Sequence, residues 1–185
     1  LFLSTVKSLV SAIDAKDEYT RLHSARVTEF TLKMASKMGF SEKETSDLEL
    51  ACLLHDVGKI AVPENILTKP ARLTDQEFAL IKEHPARGES ILRPVIELKD
   101  IARVVRAHHE HYDGSGYPDG LKGREIPLGA RIMAVADAYD SQVETKVAAL
   151  TSLLEPAMIV FMGLAVAFIV FSVLMPILQI NTLAG

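Results

Sequence analysis

His55-Asp56-Val57-Gly58-Lys59 follows the apolar run Leu50-Ala51-Cys52-Leu53-Leu54 and is the most informative segment of the chain. An imidazole directly beside a carboxylate indicates a metal site. A lysine one helical turn beyond the histidine indicates that a phosphate binds nearby. Every other part of the chain either completes such a site or needs a separate explanation.

Length and composition limit the class of protein. The chain has 185 residues, a formal net charge of −4 and a sequence pI of about 5.9. These values argue against broad nucleic-acid binding, which usually needs a strongly basic surface. The single cysteine, Cys52, lies in an apolar run and is predicted to be a small buried residue rather than a nucleophile. No zinc-type cysteine pair is present, so a metal would have nitrogen and oxygen ligands.

The composition changes near residue 143. Residues 1–142 mix charged and apolar side chains, whereas Glu155 is the only charged residue from Val147 onward, and residues 158–178 are apolar apart from Ser172. About 20 such residues in a helix cross a bilayer, and the C-terminal position excludes a signal peptide. We therefore expect a transmembrane helix, with a long buried soluble helix as the alternative. Lys146 precedes the span and no basic residue follows it, which favours a cytoplasmic N-terminal side.

Residues 1–142 are predicted to be all-α, because apolar residues recur at steps of three and four and no sustained period of two appears. Helices are expected over residues 1–15 and 20–38, the latter with an inward stripe that ends at Met38. Capping boxes at Ser41 and Thr74 predict two helix starts. The first of these helices is expected to reach His55 and to end at Gly58. The second is expected to have Phe78 on its inward face and to end at His84-Pro85. A further helix should lead to His108, and Pro127 should open the last soluble helix, which has Val135 among its apolar residues.

Four histidines are each predicted to continue the apolar stripe of a separate helix: His23, His55, His84 and His108. One such residue alone is usually an ordinary core histidine. Four together with Asp56 and Asp137 are costly to bury unless a metal centre pairs with them. Because neighbouring residues diverge on a helix, ligation by both His108 and His109 fits two metals better than one. A pair of metals about 3.5–4 Å apart, bridged by Asp56, can activate water and clamp a phosphate oxygen.

Lys59 and His111 need separate interpretations. Lys59 is placed by Gly58 beside the proposed metals, where it would neutralise phosphate charge or protonate a leaving oxygen. The alternative for Lys59 is a solvated cation at a helix end. His111 is expected at the edge of the turn-rich loop formed by residues 113–120, outside the ligand set.

The chain resembles the HD-GYP family over residues 1 to about 140. His55-Asp56-Val57-Gly58-Lys59 is similar to the HD signature of that family, residues 108–118 are similar to its GYP signature, and residues 126–140 match the stretch that follows. The resemblance implies an all-α HD-domain helical bundle. It also implies a hydrolase, a bacterial phosphodiesterase that cleaves cyclic di-GMP to pGpG or GMP at a metal centre.

The resemblance further implies a role for each matching position. Asp56, as the bridging ligand, and Lys59 would be catalytic, while Gly116, Tyr117 and Pro118 would shape the substrate lip, with Tyr117 against a guanine face. Trinuclear members have a glutamate where this chain has Tyr19, so two divalent ions are expected. The nitrogen and oxygen ligands suit iron, manganese or zinc, with iron or manganese favoured. The implied metal ligands are His23, His55, Asp56, His84, His108, His109 and Asp137.

The resemblance ends after Asp140. The family continues with a Ser-Asp-Arg-Pro-Tyr-Arg-type stretch and closing helices, whereas this chain reads Ser141-Gln142-Val143-Glu144-Thr145-Lys146. The phosphate-contacting arginine of the family has no counterpart unless Lys146 substitutes, and lysine lacks the bidentate fork. Residues 143–185 instead resemble the C-terminal end of the type II secretion F-type inner-membrane platform protein, and a generic membrane anchor is the alternative.

Two domains are therefore predicted, a truncated HD-GYP domain over residues 1–142 and a transmembrane segment over residues 143–185. The leading hypothesis is a two-metal cyclic di-GMP phosphodiesterase tethered to a bacterial inner membrane, with its catalytic domain in the cytoplasm. Homodimer formation is left open, and no nucleic acid polymer is expected as a partner. The alternatives are a catalytically impaired HD-GYP module that binds metal or partners, and a membrane fragment of a secretion platform.

Overall fold

The computed structural model describes the backbone of Val10 and of residues 20–183, together with their side chains except those of residues 20–22, 173 and 175–183. Tyr19 and, apart from Val10, the helix predicted over residues 1–15 lie outside the described residues. Within the described part all regular structure is helical, which confirms the all-α prediction. The chain divides into two units, Leu1–Asp140 and Ser141–Gly185.

The described helices range from a single turn to the 56 residues of the last one. Short 3-10 turns occur at Val57–Ala61, Ile96–Leu98 and Gly123–Glu125. The α-helices are α1 (Thr20–Lys37), α2 (Glu42–Leu54), α3 (Glu64–Leu67), α4 (Asp75–Ile81), α5 (His84–Leu92), α6 (Lys99–Arg106) and α7 (Leu128–Leu183).

Local sequence sets several of these boundaries. Gly39 ends the turn after α1 with a φ of +77°, a conformation that strongly favours glycine. Both predicted capping boxes are confirmed: the Ser41 hydroxyl accepts from the Glu44 N–H at the start of α2, and Thr74 does the same for Glu77 at the start of α4.

Two predicted helix ends are wrong. The helix that contains Phe78 ends at Ile81, and His84 and Pro85 instead begin α5. Proline is tolerated there because the first turn of a helix has no internal partner for its N–H groups. Likewise α2 ends at Leu54, and Gly58 lies within the following 3-10 turn.

Gly58 has a packing role rather than a helix-stopping one. A Cβ atom at this position would lie 1.9 Å from the carbonyl oxygen of His84 and 2.6 Å from the amide nitrogen of Gly88. Only a residue without a side chain lets the 3-10 turn approach α5 this closely. The glycine in the HD stretch therefore brings His55 and Asp56 beside His84.

Helix α2 is at the centre of the core. Its residues Ala51 and Leu54 pack with Ile101 and Val105 of α6. On another side, Leu48 and Cys52 contact α1 and the beginning of α7, and Cys52 is fully buried as predicted. Three apolar residues predicted to face inward are instead exposed: Met38, Phe78 and Val135.

The unit Ser141–Gly185 has a different surface. Among the described residues, one helix is long and apolar enough to cross a membrane, with a mean hydropathy of 2.3 over its most apolar window and no burial of that window. Every described side chain from Met158 to Ser172 is exposed. This finding agrees, by length and composition, with the expected membrane-spanning helix.

Candidate metal centre

Three histidines lie just past the C-terminal end of a helix, and one of them, His84, is also the first residue of α5. His55 follows α2, His84 follows α4, and His108 follows α6, and the Nδ1 atom of each lies 2.6–2.7 Å from the carbonyl oxygen three residues earlier. All three are buried as predicted, although none lies inside the helix whose apolar stripe it was expected to continue. The carbonyl groups in question have no helical partner, so the imidazoles cap them.

These hydrogen bonds select one tautomer. A carbonyl oxygen can only accept a hydrogen bond, so Nδ1 carries the proton in each of the three rings. In a neutral imidazole the Nε2 atom then has a free lone pair. A second ring nitrogen fixed by a backbone carbonyl is the usual arrangement of a metal-ligating histidine.

The Nε2 atoms of His55 and His84, which do not bond to backbone carbonyls, converge on Asp56. Its two carboxylate oxygens lie 3.2 Å from His55 Nε2 and 3.2 Å from His84 Nε2. His84 Nε2 is also 3.3 Å from His108 Nε2. Two ring nitrogens at this distance share either a proton or a cation. With ligand bonds of about 2.0–2.1 Å, two nitrogens on one ion lie about 3.0–3.4 Å apart, so the spacing fits a metal.

His109 joins the same cluster from the loop side. Its ring centroid lies 4.1 Å from that of His108 and 5.1 Å from that of His84. One ligand atom from each of these three residues lies within 4.8 Å of the others. Consecutive histidines therefore face one cluster, as the prediction of two metals requires.

The remaining two predicted ligands come from α1 and α7. His23 Nε2 lies 3.1 Å from Asp137 Oδ1, and the His23 ring is 6.0 Å from that of His55. The structure thus brings all seven predicted ligand residues together, and their ligation of metal stays a prediction. His111 lies outside the cluster, exposed, with Nδ1 3.0 Å from the Ser115 hydroxyl.

The charges suit a cation-binding site. Burial acts to raise the pKa of Asp56, but His55 and Lys59 beside it hold that pKa well below its usual value, so the carboxylate is ionised. Burial and the neighbouring His109 hold the pKa of His108 well below its usual range. Burial and His84 likewise lower the pKa of His109 to about 4. His108 and His109 are therefore neutral at pH 7, as metal ligands must be.

The GYP segment lies directly beside the cluster. The Tyr117 ring stacks on His109 with centroids 4.8 Å apart, and its backbone N–H donates to the His109 carbonyl oxygen. Burial raises the pKa of Tyr117 to about 12, so its phenol stays protonated. The Lys82 ammonium lies 5.4 Å from the centroid of the Tyr117 ring. The predicted lip is therefore adjacent to the candidate ligands.

Lys59 is also at the site. Its ammonium donates to Asp56 Oδ2 at 2.9 Å, and its side chain is 20% exposed. The lysine thus lies between the cluster and solvent, where an anion bound at the cluster would meet it. A solvated cation at a helix end would not approach the central carboxylate.

Three supporting residues were not assigned a role from the sequence. Asp140 accepts from His23 and Arg26, and Glu110 accepts from the backbone N–H groups of three successive loop residues, 119–121. The i, i+3 spacing of Asp137 and Asp140 placed both on one helical face, which was the available signal. Nothing local in the sequence pointed to the partners of Glu110.

Comparison with known proteins supports this geometry. A family model described as HD domain matches residues 7–158, which continues past the boundary predicted at 142. The chain is 41% identical over 144 residues to the cyclic di-GMP phosphodiesterase response regulator RpfG of Xanthomonas campestris, covering 77% of this chain and 38% of that protein. It is 40% identical over 150 residues to a cyclic di-GMP phosphodiesterase of Thermotoga maritima, covering 78% and 40%.

Other relatives are named for a different cyclic dinucleotide. The chain is 41% identical over 138 residues to the 3'3'-cGAMP-specific phosphodiesterase 2 of Vibrio cholerae, covering 74% of this chain and 26% of that protein. The chain therefore spans two fifths or less of the length of these three relatives.

Solved structures give the same fold. Bd1817, an HDG"Y"P protein from Bdellovibrio bacteriovorus, superposes with a TM-score of 0.57 at 27% identity, covering 65% of this chain and 40% of that chain. The V-cGAP3 phosphodiesterase of V. cholerae superposes with a TM-score of 0.59 at 23% identity, covering 76% and 40%, and shows the fold alone. By family match, relatives and fold, this chain belongs to the HD domain family, among relatives of the HD-GYP group.

Proposed function

We propose that this chain is a metal-dependent phosphodiesterase that hydrolyses cyclic di-GMP to pGpG or GMP. The observation that carries the proposal is the convergence of the buried Nε2 atoms of His55 and His84 on the Asp56 carboxylate, with the Lys59 ammonium beside it. A buried cluster of this composition is hard to explain without a bound cation.

The proposed cofactor is a pair of divalent ions, iron or manganese, with Asp56 as the bridging ligand. Nitrogen and oxygen donors suit these ions. When bound, such a pair supplies an activated water and neutralises charge on a phosphate. The ligand residues would be His23, His55, Asp56, His84, His108, His109 and Asp137.

Charge balance supports a phosphodiester substrate. Asp56 and Asp137 together contribute two negative charges, and the imidazoles contribute none when they ligate metal. Two divalent ions therefore leave two net positive charges at the site, and Lys59 adds a third. A cyclic dinucleotide with two phosphodiesters has two negative charges, which this site would neutralise.

Lys59 would act on the phosphate itself. Its ammonium is fixed by Asp56 at the edge of the cluster, where it can stabilise charge that develops on a phosphate oxygen or protonate the leaving oxygen. No residue after Asp140 is needed for this role. The lysine thus supplies positive charge at a site where the family's arginine-bearing stretch is replaced.

Gly116, Tyr117 and Pro118 would form the substrate lip. Because His109 stacks on one face of Tyr117, a guanine can stack only on the opposite face. The Lys82 ammonium over the Tyr117 ring would lie near a phosphate or a guanine carbonyl bound there. The lip would then orient the nucleotide relative to the metals.

3'3'-cGAMP is a second candidate substrate. Relatives named as 3'3'-cGAMP-specific phosphodiesterases share 41% and 42% identity with this chain, as high as the values for relatives named as cyclic di-GMP phosphodiesterases. The two dinucleotides differ in one base, so the lip rather than the metal cluster would discriminate between them.

The proposed location is a bacterial inner membrane, with the domain over residues 1–142 in the cytoplasm and residues 143–185 as the anchor. The exposed apolar surface of α7 supports the anchor. We also propose that residues 143–185 correspond to the C-terminal end of a type II secretion F-type platform protein. Homodimer formation is a further part of the proposal. Cyclic di-GMP would then reach the site from the cytoplasm.

The experiment is an assay of the full chain, purified in detergent and loaded with manganese or iron, with cyclic di-GMP and 3'3'-cGAMP in parallel. His109→Ala should lose at least one metal per chain and reduce turnover by more than the about 10–100-fold that loss of an outer-shell contact costs. His111→Ala, a substitution of the same residue type outside the cluster, should keep the full metal content.

The contrary outcome is a wild-type chain that binds two metals and turns over neither dinucleotide. That result would reject the catalytic proposal and favour a metal-binding or partner-binding module. Turnover of 3'3'-cGAMP alone would replace the proposed substrate and retain the reaction.

A further inference from the structure

His23 differs from the other candidate ligands in how its second nitrogen is fixed. His55, His84 and His108 use backbone carbonyls at helix ends, but His23 lies inside α1. There the backbone carbonyls take part in the helical hydrogen bonds. Its Nδ1 atom instead lies 2.8 Å from a carboxylate oxygen of Asp140.

Asp140 is itself tightly held. Its side chain is only 1% exposed, and one oxygen accepts from Arg26 Nε at 2.6 Å. The other oxygen accepts from Arg26 Nη2 at 2.9 Å and also faces His23. A bidentate arginine–carboxylate pair of this kind fixes the carboxylate plane as well as its position.

The four residues form two pairs with the same spacing. His23 and Arg26 are three apart on α1, and Asp137 and Asp140 are three apart on α7, so each pair lies on one helical face. His23 faces Asp137 with one ring nitrogen and Asp140 with the other. One residue of each pair is a candidate ligand, and the other two bond to each other.

We propose that Asp140, fixed by Arg26, is the positioning residue for one of the two metal sites. It holds the His23 proton on Nδ1, so that Nε2 presents its lone pair beside Asp137. The inference rests on the metal pair of the proposed function. It goes further, because at this metal site the histidine ligand is oriented by side chains of α1 and α7 and not by a backbone carbonyl. We call the chain of contacts Arg26–Asp140–His23 the relay.

Asp140→Asn tests the relay. The carboxylate accepts from three donors, whereas an amide offers one oxygen and an N–H₂ group. In either orientation the N–H₂ group opposes an Arg26 donor, and in one of them it also donates to His23 Nδ1, which moves the proton to Nε2 and removes a ligand. We expect the affinity of one metal site to fall about 10–100-fold, while the second site is retained.

Arg26→Met/Asp140→Asn is the decisive variant. Without the arginine the amide oxygen can turn toward His23 Nδ1–H with no opposing donor. The double variant should therefore recover most of the metal that the single variant loses. It also keeps the test available if the single variant does not fold, because it removes the cation that would otherwise face an amide.

Asp119→Asn is the matched control for metal content. Asp119 also accepts a bidentate pair from an arginine, Arg106, at 2.6 and 2.7 Å, but none of its contacts is with a candidate ligand. Metal per chain would be measured by elemental analysis after dialysis against graded metal concentrations, with thermal melting as the check of folding. Asp119→Asn should keep two metals.

The readout separates this inference from the proposed function. Full metal affinity in Asp140→Asn would overturn it, and so would a folded double variant as depleted as the single one. A wild-type chain that binds two metals without turnover would defeat the proposed function and leave the relay intact. A wild-type chain that takes up no metal would overturn both.

Discussion

At the scale of single residues, the second nitrogen of each histidine distinguishes a candidate ligand from an ordinary polar residue. His55 and His108 both donate from Nδ1 to a carbonyl oxygen, so each ring turns its Nε2 atom toward the cluster. His111 bonds to an exposed serine hydroxyl and faces away. Residue type was visible in the sequence, but the tautomer depended on the partner of each ring.

Lys59→Gln separates charge at the phosphate from metal binding. The lysine contacts Asp56 but is not a candidate ligand, so we expect an unchanged metal content and a kcat lower by about 10²–10⁴-fold, the usual contribution of a general acid. Lys43→Gln is the control, because Lys43 pairs with Asp47 at 2.6 Å on the surface of α2. A parallel loss of metal in Lys59→Gln would show that the lysine supports a ligand instead.

At the scale of elements, helix ends and one loop build the site. The residues after α2, α4 and α6 supply imidazoles, and the loop that follows α6 returns over His109 through Tyr117. Glu110 fixes the position of this loop. It is 3% exposed, and its two oxygens accept from the backbone N–H groups of residues 119–121 at 2.7–3.1 Å.

Glu110→Gln should loosen the lip without emptying the metal centre. An amide oxygen replaces only one of the two acceptors, so at least one backbone N–H group of residues 119–121 loses its partner, at a cost of about 0.5–1.5 kcal/mol in the free energy of unfolding. We expect a raised KM, unchanged metal content and a lower melting temperature. Glu125→Gln is the control, since Glu125 accepts from one N–H group of the same loop and is exposed. An unchanged KM would contradict a role of Glu110 in the lip.

The start of α4 offers a pH test. The Lys69 ammonium and the Thr74 N–H group bond to Glu77 and lower its pKa from 4.5 to about 2. Because the folded-state pKa is lowered, the stabilisation is present above about pH 4.5 and is lost as the pH falls toward 2. A ¹³C NMR titration of labelled glutamate side chains should place Glu77 near 2. In Lys69→Met its titration should move back toward 4.5, and a wild-type value of 4.5 would refute the bond.

At the scale of the whole molecule, the two units differ in how they treat apolar side chains. The unit Leu1–Asp140 buries an apolar core around α2, whereas the described apolar side chains of the unit Ser141–Gly185 are exposed, including Phe161, Phe168 and Phe171. Soluble monomers rarely expose apolar patches of more than a few hundred Å². The exposed apolar surface of the second unit therefore agrees with the proposed membrane anchor.

Two arginines in the centre of the span should weaken membrane association. Leu164→Arg combined with Phe168→Arg costs about 5–7 kcal/mol of insertion free energy on the translocon scale. The variant should shift from the carbonate-resistant membrane fraction to the soluble or aggregated fraction. Val147→Arg combined with Leu150→Arg, placed before the apolar run, should stay with the membrane. Recovery of the wild-type chain as a soluble monomer without detergent would contradict the anchor.

A structural feature could be predicted from the sequence when the residues that produce it are close together in the chain. The capping boxes at Ser41 and Thr74 were predicted correctly because each joins residues three apart. The end at His84-Pro85 was wrong, because proline can begin a helix as readily as it prevents one from continuing. The outward positions of Phe78 and Val135 depended on which neighbours cover each face, and local periodicity does not report neighbours.

By itself the sequence determined the all-α class, the HD and GYP stretches, the seven candidate ligand types and the apolar C-terminal segment, since each depends on residue identity or short spacing. Tertiary structure alone decided that imidazoles cap helix ends, that Gly58 lets its turn approach α5, and that Asp140 supports His23. That last contact joins positions 117 residues apart. Contacts at such separations form only when helices pack, because loop closure brings together groups that no local pattern connects.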